Sequence, residues 1–208
     1  MNNPPLSAKN ILRRISGLRR IFTKLRTHFL VADLASRRCG ITGIRRAIFC
    51  IGSLIPDLTL TQLTHPHFYC HSGKYVARHI SRFADHSSLT AYLELGKMAH
   101  YATDFCCSVH QGRNIGSIRE HLLYERRLNS FAVRNFHSLL KKSMRMPLCT
   151  LDEALDIFRC GLKYDHETDL LCAVRACTAI CAMTRFPERK SRHFFRRVKI
   201  KNKSAGCI

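Results

Sequence analysis

The sequence has no tryptophan, only 14 acidic residues against 35 lysines and arginines, and no apolar run of membrane-spanning length. A transmembrane helix needs about 20 consecutive apolar residues, so none is expected. The first ten residues, MNNPPLSAKN, lack the charged-then-apolar pattern of a secretory signal. We therefore expect the protein to stay in the cytoplasm, either free or peripheral on the membrane.

Several familiar motifs of enzymes and metal proteins are also absent. The chain contains no glycine-rich phosphate loop, no order of residues typical of a Ser-His-Asp triad and no zinc-finger spacing, and its 11 cysteines form no Cys-x-x-Cys pair. A chain of 208 residues with 46% hydrophobic residues can bury a core without disulfides. The cysteines are therefore interpreted as small buried hydrophobic residues, and Cys106 and Cys107 adjoin the candidate site described below.

The net charge of +21 is the strongest feature of the composition. A positive field of this size attracts anionic lipid surfaces or nucleic acid without discriminating between them. Lysines and arginines that only solvate the helices would give the same net charge. Both an anionic membrane surface and nucleic acid are retained as partners, and no obligate protein partner is predicted.

The spacing of apolar residues predicts an all-α fold, a single compact bundle of seven or eight helices. Three parts are predicted: a basic amphipathic segment at residues 1–26, a helical domain at residues 27–186 and a basic flexible tail at residues 187–208. The first segment either lies on an anionic membrane or packs on the domain as an ordinary helix. One continuous helix is predicted from Ser117 to about Arg145, and a loop from Thr59 to Ser72.

Polar side chains at helical spacing concentrate in the middle of the chain. His100 and Asp104 are four residues apart, and so are His121 and Glu125, with His110 between the two pairs. Positions i and i+4 lie on one face of a helix, so each pair can direct an imidazole and a carboxylate at one point. Nitrogen and carboxylate oxygen are typical zinc ligands. The cluster therefore predicts a zinc site.

The same pairs also have a simpler explanation, as exposed polar contacts. One such pair on a helix contributes only a few tenths of a kcal/mol. Here two pairs occur in a chain poor in acidic residues, and His100 and Asp104 lie on a largely apolar segment. Burying an unpaired charge is costly, and a metal ion would supply the missing partner.

Five motifs resemble those of the zinc-dependent phospholipase C family, most closely its short single-domain bacterial members. They are THFLVADLA at residues 27–35, FCIGSLIPD at 49–57, LGKMAHYATDF at 95–105, VH at 109–110 and EHLLYE at 120–125. The resemblance covers residues 26–128 of the chain. It implies a helical protein with two or three zinc ions that hydrolyses phospholipids to diacylglycerol and a phosphorylated head group.

The resemblance also implies a set of ligands for these ions. By position, the first zinc would be held by Asp57, a loop histidine, His100 and Asp104, the second by His28 and a bridging Asp104, and the third by His110, His121 and Glu125. Asp57 is also the implied candidate for the general base. For the loop histidine, His67 fits the spacing of the short members best, His71 fits the secreted members, and His65 is the third alternative.

Two departures from the family pattern affect the predicted site. Secreted members begin with a tryptophan whose terminal amine and carbonyl bind metal beside the equivalent of His28, and this chain contains no tryptophan. A zinc ion at His28 would then need another group or water. Val109 replaces the family's proline before His110, which removes no side-chain ligand.

Two alternatives to the phospholipase stay open. The first is a zinc nuclease or phosphomonoesterase with a related trinuclear site, although the lack of tryptophan and the few aromatics near the motifs disfavour base stacking. The second is a non-catalytic, metal-stabilised protein that binds anionic lipid or nucleic acid. The missing tryptophan and the high positive charge motivate this second alternative.

Overall fold

Residues 25–59, 64–110, 118–150, 153 and 165–184 are described by a computed structural model. Their helices are α1 (25–38), α2 (Gly43–Gly52), α3 (Ile55–Leu58), α4 (Tyr69–Phe83), α5 (Leu89–Cys106), a 3-10 turn (Ser108–His110), α6 (Ile118–Arg134), α7 (Phe136–Arg145) and α8 (His166–Ala182). No strand occurs in these ranges, and the predicted all-α class is confirmed.

The central element is α5. Of its 18 residues, 13 are buried, and it packs against α2, α4 and α8. A helix that is covered on most sides is apolar nearly all round, which explains why its sequence shows only a weak polar face. At its start the Ser88 hydroxyl accepts a hydrogen bond from the N–H of Ala91 at 3.1 Å, a typical N-cap.

α2 crosses α5 at a contact between two glycines. A Cβ on Gly52 would lie 2.3 Å from the carbonyl oxygen of Leu93, and a Cβ on Gly96 would lie 2.3 Å from that of Phe49. Both obstacles are backbone atoms, so only glycine permits this approach. The crossing brings the segment after α2 against α5, where the Ser53 carbonyl accepts a hydrogen bond from an α5 side chain.

α1 is fixed at its end and along its side. Gly40 has a φ of 62°, and the N–H of the next residue donates to the Ser36 carbonyl at 2.9 Å, which together form a Schellman cap. The buried carboxylate of Asp33 pairs with Arg37 at 2.8 Å and with Arg46 of α2 at 2.7 Å. These ion pairs hold α1 against α2.

The predicted continuous helix from Ser117 to Arg145 is wrong. The chain turns at Asn135, between α6 and α7, with φ −107° and ψ 17°. The Asn135 side chain donates from Nδ2 to the Phe131 carbonyl at 2.9 Å. The backbone N–H of Asn135 donates to the same carbonyl at 2.9 Å, so the side-chain bond is made in addition to the helical one. Ser117, the predicted start, lies outside the described residues.

The predicted loop from Thr59 to Ser72 is wrong in its last four residues, which are helical. α4 already begins at Tyr69, so His71 is helical. The N–H groups of His71 and Ser72 donate to the Phe68 carbonyl at 3.1 and 2.9 Å and close the first turn. The end of the predicted loop is therefore the first turn of a helix.

The three predicted parts of the chain remain predictions. All but the last two residues of the 1–26 segment, and the whole 187–208 tail, lie outside the described residues. Among the helices that are described, none combines the length and hydropathy needed to cross a membrane.

Candidate metal centre

The structure brings together the eight side chains that the family resemblance implies as ligands. His28 comes from α1, Asp57 from α3, His67 from the segment before α4, His100 and Asp104 from α5, His110 from the 3-10 turn, and His121 and Glu125 from α6. The set includes both pairs at helical spacing. Packing around α5, and not helix periodicity alone, is what makes the separate stretches meet.

These side chains form three groups of potential ligands. The groups are His28, Asp57 and His100; His67, His100 and Asp104; and His110, His121 and Glu125. In each group, one ligand atom from every side chain lies within 4.8 Å of the others. His100 belongs to two of the groups, so the first two are contiguous.

Asp104 faces histidines from all three groups. Its Oδ1 lies 3.4 Å from Nε2 of His28 and 3.9 Å from Nε2 of His110. Its Oδ2 lies 2.6 Å from Nδ1 of His67 and 3.4 Å from Nε2 of His100. One carboxylate therefore stands at the middle of the cluster, with both of its oxygens directed at imidazoles.

The distances within the first two groups suit metal ligation. Nε2 of His28 is 3.7 Å from Asp57, and Nε2 of His100 is 3.8 Å from the same carboxylate. Hydrogen bonds between N–H and oxygen span about 2.7–3.2 Å. Two ligands on one tetrahedral zinc, each at about 2.0–2.1 Å, are roughly 3.3–3.4 Å apart. Most of the separations at His28 and His100 are longer than hydrogen bonds and close to this value.

His100 provides the clearest test of the fit to zinc. Its ring is completely buried, and Nδ1 donates to the Ser53 carbonyl at 2.9 Å, which leaves the lone pair on Nε2. That Nε2 makes no hydrogen bond in the described structure, although two carboxylates face it. Burial lowers the pKa of His100 to about 3, assisted by the neighbouring His28. A neutral buried imidazole whose other nitrogen bonds a carbonyl is the usual form of a zinc ligand, so the residues present fit zinc.

Asp104 is one of three carboxylates in the centre, with Asp57 and Glu125. Burial by itself would raise its pKa, but His28, His67 and His100 together hold the pKa of this carboxyl well below its usual range. Asp104 is therefore ionised over the whole physiological pH range. An ionised carboxylate among histidines is an arrangement that attracts a divalent cation.

The third group, His110, His121 and Glu125, contacts Asp104 through His110. Oε1 of Glu125 is 3.0 Å from Nε2 of His121 and 3.7 Å from Nε2 of His110. The rings of His110 and His121 meet edge to face with centroids 4.6 Å apart. A cavity of about 20 Å³ separates this group from α1, enough for one water-sized species. Its walls are formed by Thr27, His28, Thr103, Asp104, Cys107, His110, Glu125 and Leu128.

Only one of the three loop histidines lies in the cluster. His67 contacts Asp104, as described above. The ring of His65 instead stacks on Tyr75, with centroids 3.7 Å apart. His71 is exposed on α4, and its Nδ1 lies 3.1 Å from Sγ of Cys70. The geometry therefore favours His67, the alternative that fits the spacing of the short family members.

One buried carboxylate near the centre was not indicated by any motif. Asp169 on α8 is only 1% exposed and accepts hydrogen bonds from Ser108 and Tyr124. These partners lie 61 and 45 positions away along the chain, so no local spacing could reveal the contact. Asp169 is one of two acidic residues in the first turn of α8, with Glu167, so the sequence gives no signal that singles it out.

Comparison with known families agrees with this geometry. A family model described as zinc dependent phospholipase C matches residues 27–180, which is more than half of the chain. The matched range contains all eight side chains of the cluster as well as Asp169. No curated protein and no solved structure matches the chain.

Proposed function

The chain belongs to the zinc-dependent phospholipase C family, and we propose that it is a zinc-dependent phosphodiesterase. It hydrolyses glycerophospholipids to diacylglycerol and a phosphorylated head group. Membership of the family implies zinc as the metal and a lipid as the substrate. The observation that carries the proposal is the position of Asp104, whose two oxygens face histidines of all three ligand groups.

Two or three zinc ions would be held by these groups, and Asp104, whose oxygens face all three, would be a residue common to them. When bound, zinc would lower the pKa of water and stabilise the negative charge that gathers on phosphoryl oxygens. His100 would hold the lone pair of its Nε2 toward this site, because its Nδ1 donates to the Ser53 carbonyl. The buried walls of the cluster limit the access of bulk water, which strengthens each electrostatic contact.

Asp57 is proposed to act both as a ligand and as the general base. Its two oxygens lie 3.7 and 3.8 Å from Nε2 of His28 and of His100, so the carboxylate faces both imidazoles. The Asp57 side chain is 6% exposed. A carboxylate in this position can accept a proton from the attacking water through one of its oxygens.

Exposed apolar side chains beside the ligands support a lipid substrate. Phe29 is 43% exposed, Leu58 61% and Leu123 44%, and each lies within two positions of a proposed ligand. Together with the net charge of +21, these exposed side chains favour peripheral attachment to an anionic membrane surface.

Phosphatidylglycerol added to phosphatidylcholine vesicles should therefore increase turnover, and about 0.5 M salt should abolish the increase.

Zinc content and turnover, measured on one purified sample, test the proposed function. We expect two or three zinc ions per chain by elemental analysis, hydrolysis of phosphatidylcholine and no cleavage of single-stranded DNA. His67→Ala should lower turnover at least 100-fold, because it removes a ligand. His71→Ala is the matched control and should leave turnover unchanged, since His71 is exposed and outside the three groups.

Each other outcome selects a different function. Cleavage of DNA without cleavage of lipid would replace the phospholipase by a zinc nuclease. Zinc without turnover of either substrate would indicate a non-catalytic, metal-stabilised protein. A protein that binds no zinc would refute the proposal.

A further inference from the structure

We propose that Asp169 positions the third ligand group, His110, His121 and Glu125, and thereby sets its affinity for zinc. The inference rests on the proposed function, because it assumes that this group holds a zinc ion. Asp169 lies on α8, and α8 contributes none of the eight proposed ligands. Its role would therefore be exerted through other residues.

The carboxylate of Asp169 holds two chain segments at once. Ser108 donates its N–H to Oδ2 at 2.8 Å, and its hydroxyl lies 2.9 and 2.8 Å from the two carboxylate oxygens. Tyr124 donates its hydroxyl to Oδ2. Ser108 is two residues before His110, and Tyr124 directly precedes Glu125. One side chain thus anchors both segments that carry the third group.

The hydrogen bonds of Asp169 to Ser108 and Tyr124 fix the distance between two proposed zinc ligands, His110 and Glu125. Nε2 of His110, on the first segment, lies 3.7 Å from Oε1 of Glu125, on the second. Zinc sites tolerate changes of only about 0.2 Å in ligand distances. A movement of the 3-10 turn relative to α6 by about 1 Å would therefore weaken binding, by the logic of misplaced ligands. Asp169 is the shared acceptor that opposes this movement.

The surroundings of Asp169 favour positioning over simple stabilisation. The side chain is buried, and no lysine or arginine pairs with it among the residues that the structure describes. Burial raises its pKa despite the hydrogen bonds from Tyr124 and Ser108. Replacing a buried polar cluster by apolar residues of similar shape is often neutral for stability. Stability alone therefore does not account for a carboxylate at position 169. The ring of Tyr124 is also held from one side by a stack on His166, with centroids 4.7 Å apart.

Zinc titration of the metal-free, full-length protein tests the proposal. The zinc affinities of wild type, Asp169→Asn and Tyr124→Phe are measured by calorimetry with a competing chelator, below the melting temperature of each. We expect Asp169→Asn to weaken binding of one zinc ion by roughly 10- to 100-fold and to leave the others unchanged. Tyr124→Phe should weaken the same ion by a smaller factor, because one hydrogen bond is lost and the ring is retained.

Two further variants assign the effect. His121→Ala removes a proposed ligand of the third group, so Asp169→Asn should cause no additional loss in the double variant, as expected for residues that act on one site. Asp33→Asn is the matched control. It changes another buried carboxylate, one that pairs with Arg37 and Arg46, and it should lower the melting temperature without altering the zinc affinity of the third group.

The outcomes separate this inference from the proposed function. Wild-type affinities in Asp169→Asn, or an equal weakening of all ions, would overturn the inference and leave the phosphodiesterase standing. If Asp169→Asn does not fold, Tyr124→Phe decides, and an unchanged zinc affinity there would overturn it. A wild-type protein that binds no zinc would overturn both.

Discussion

Four histidines surround Asp104. The negative charge of this carboxylate attracts any cation that binds among their nitrogens. Its oxygens lie between 2.6 and 3.9 Å from nitrogens of His28, His67, His100 and His110. Removing the charge while keeping the shape of the side chain isolates this contribution from packing.

Asp104→Asn should therefore lose at least one zinc ion per chain. The amide has a similar size, but it is neutral and cannot bridge two cations as a carboxylate does. Elemental analysis after dialysis against a weak chelator measures the loss. His137→Ala, at an exposed position of α7, is the control and should retain the full zinc content. Equal zinc in wild type and Asp104→Asn would refute the bridging role.

The pKa of His100 predicts how the metal-free protein responds to acid. The pKa of His100 in the folded protein, about 3, lies below the ordinary histidine value of 6.5 because of burial and the proximity of His28. Below pH 6.5 the unfolded chain takes up a proton at this position and the folded chain does not. His100 therefore makes the free energy of unfolding decrease as the pH falls from 6.5 toward 3.

Urea unfolding at several pH values, in the presence of a chelator, measures this decrease. His100→Asn retains a donor for the Ser53 carbonyl and removes the titrating ring. The variant should show a shallower decrease over the same pH range. A slope identical to that of the wild type would mean that His100 does not contribute to the acid sensitivity.

At the scale of the helices, the crossing of α2 and α5 is the contact on which the position of Ser53 depends. A Cβ on Gly52 or on Gly96 would come within 2.3 Å of a backbone oxygen on the opposite helix. Backbone atoms of packed helices cannot yield independently, so the two helices must separate. The Ser53 carbonyl would then move away from Nδ1 of His100.

Gly52→Ala and Gly96→Ala should each lower the free energy of unfolding by about 1–3 kcal/mol, as overpacking does, and should also reduce zinc affinity. Gly73→Ala is the matched control, since the nearest atoms to its added Cβ are the ring carbons of Tyr69, at 3.0–3.4 Å. That ring can rotate, and alanine is the better helix former by about 1 kcal/mol. Denaturant unfolding should place Gly73→Ala within about 1 kcal/mol of the wild type. Wild-type stability of both crossing variants would contradict the close contact.

Elements whose determinants are local could be predicted from the sequence. The pairs His100 with Asp104 and His121 with Glu125 lie on helices as their spacing predicted. The Gly40 cap could also be predicted, because a glycine in the left-handed region ends a helix by local geometry. Helix type and face thus follow from short-range patterns.

Contacts between distant residues could not be predicted in this way. The bonds of Asp169 to Ser108 and the approach of Gly52 to Gly96 depend on which helices become neighbours. The break at Asn135 falls at one residue, whose backbone N–H still donates to the Phe131 carbonyl, and the spacing of the apolar residues does not mark it. Spacing and family resemblance could therefore give a set of candidate ligands, but not the residues that hold their segments in place.

For the whole molecule, the proposed zinc ions would act as cross-links. The eight ligands come from five helical elements and one connecting segment, and they span positions 28 to 125. Each bound ion therefore joins parts of the chain that are remote in sequence. Such ions stabilise only the folded state, because the ligands are scattered in the unfolded chain.

Removal of zinc with a chelator should lower the melting temperature of the whole domain by roughly 5–10 °C for each ion removed. Zinc at about 100 times its Kd contributes about 2.7 kcal/mol, and each kcal/mol shifts the Tm of a domain of this size by about 2–4 °C. Differential scanning calorimetry measures the shift, and added zinc should reverse it. Calcium is the control ion, and restoration of the Tm by calcium would contradict a zinc-selective site.

The glycine crossing also restricts the evolutionary drift of this chain. A new side chain at Gly52 or Gly96 collides with backbone oxygen, so no compensating change of side chain on the opposite helix can relieve the collision. Ordinary core positions can exchange volume with their neighbours through paired substitutions. These two positions have no such partner, so each single-step change away from glycine is expected to carry its full loss of stability.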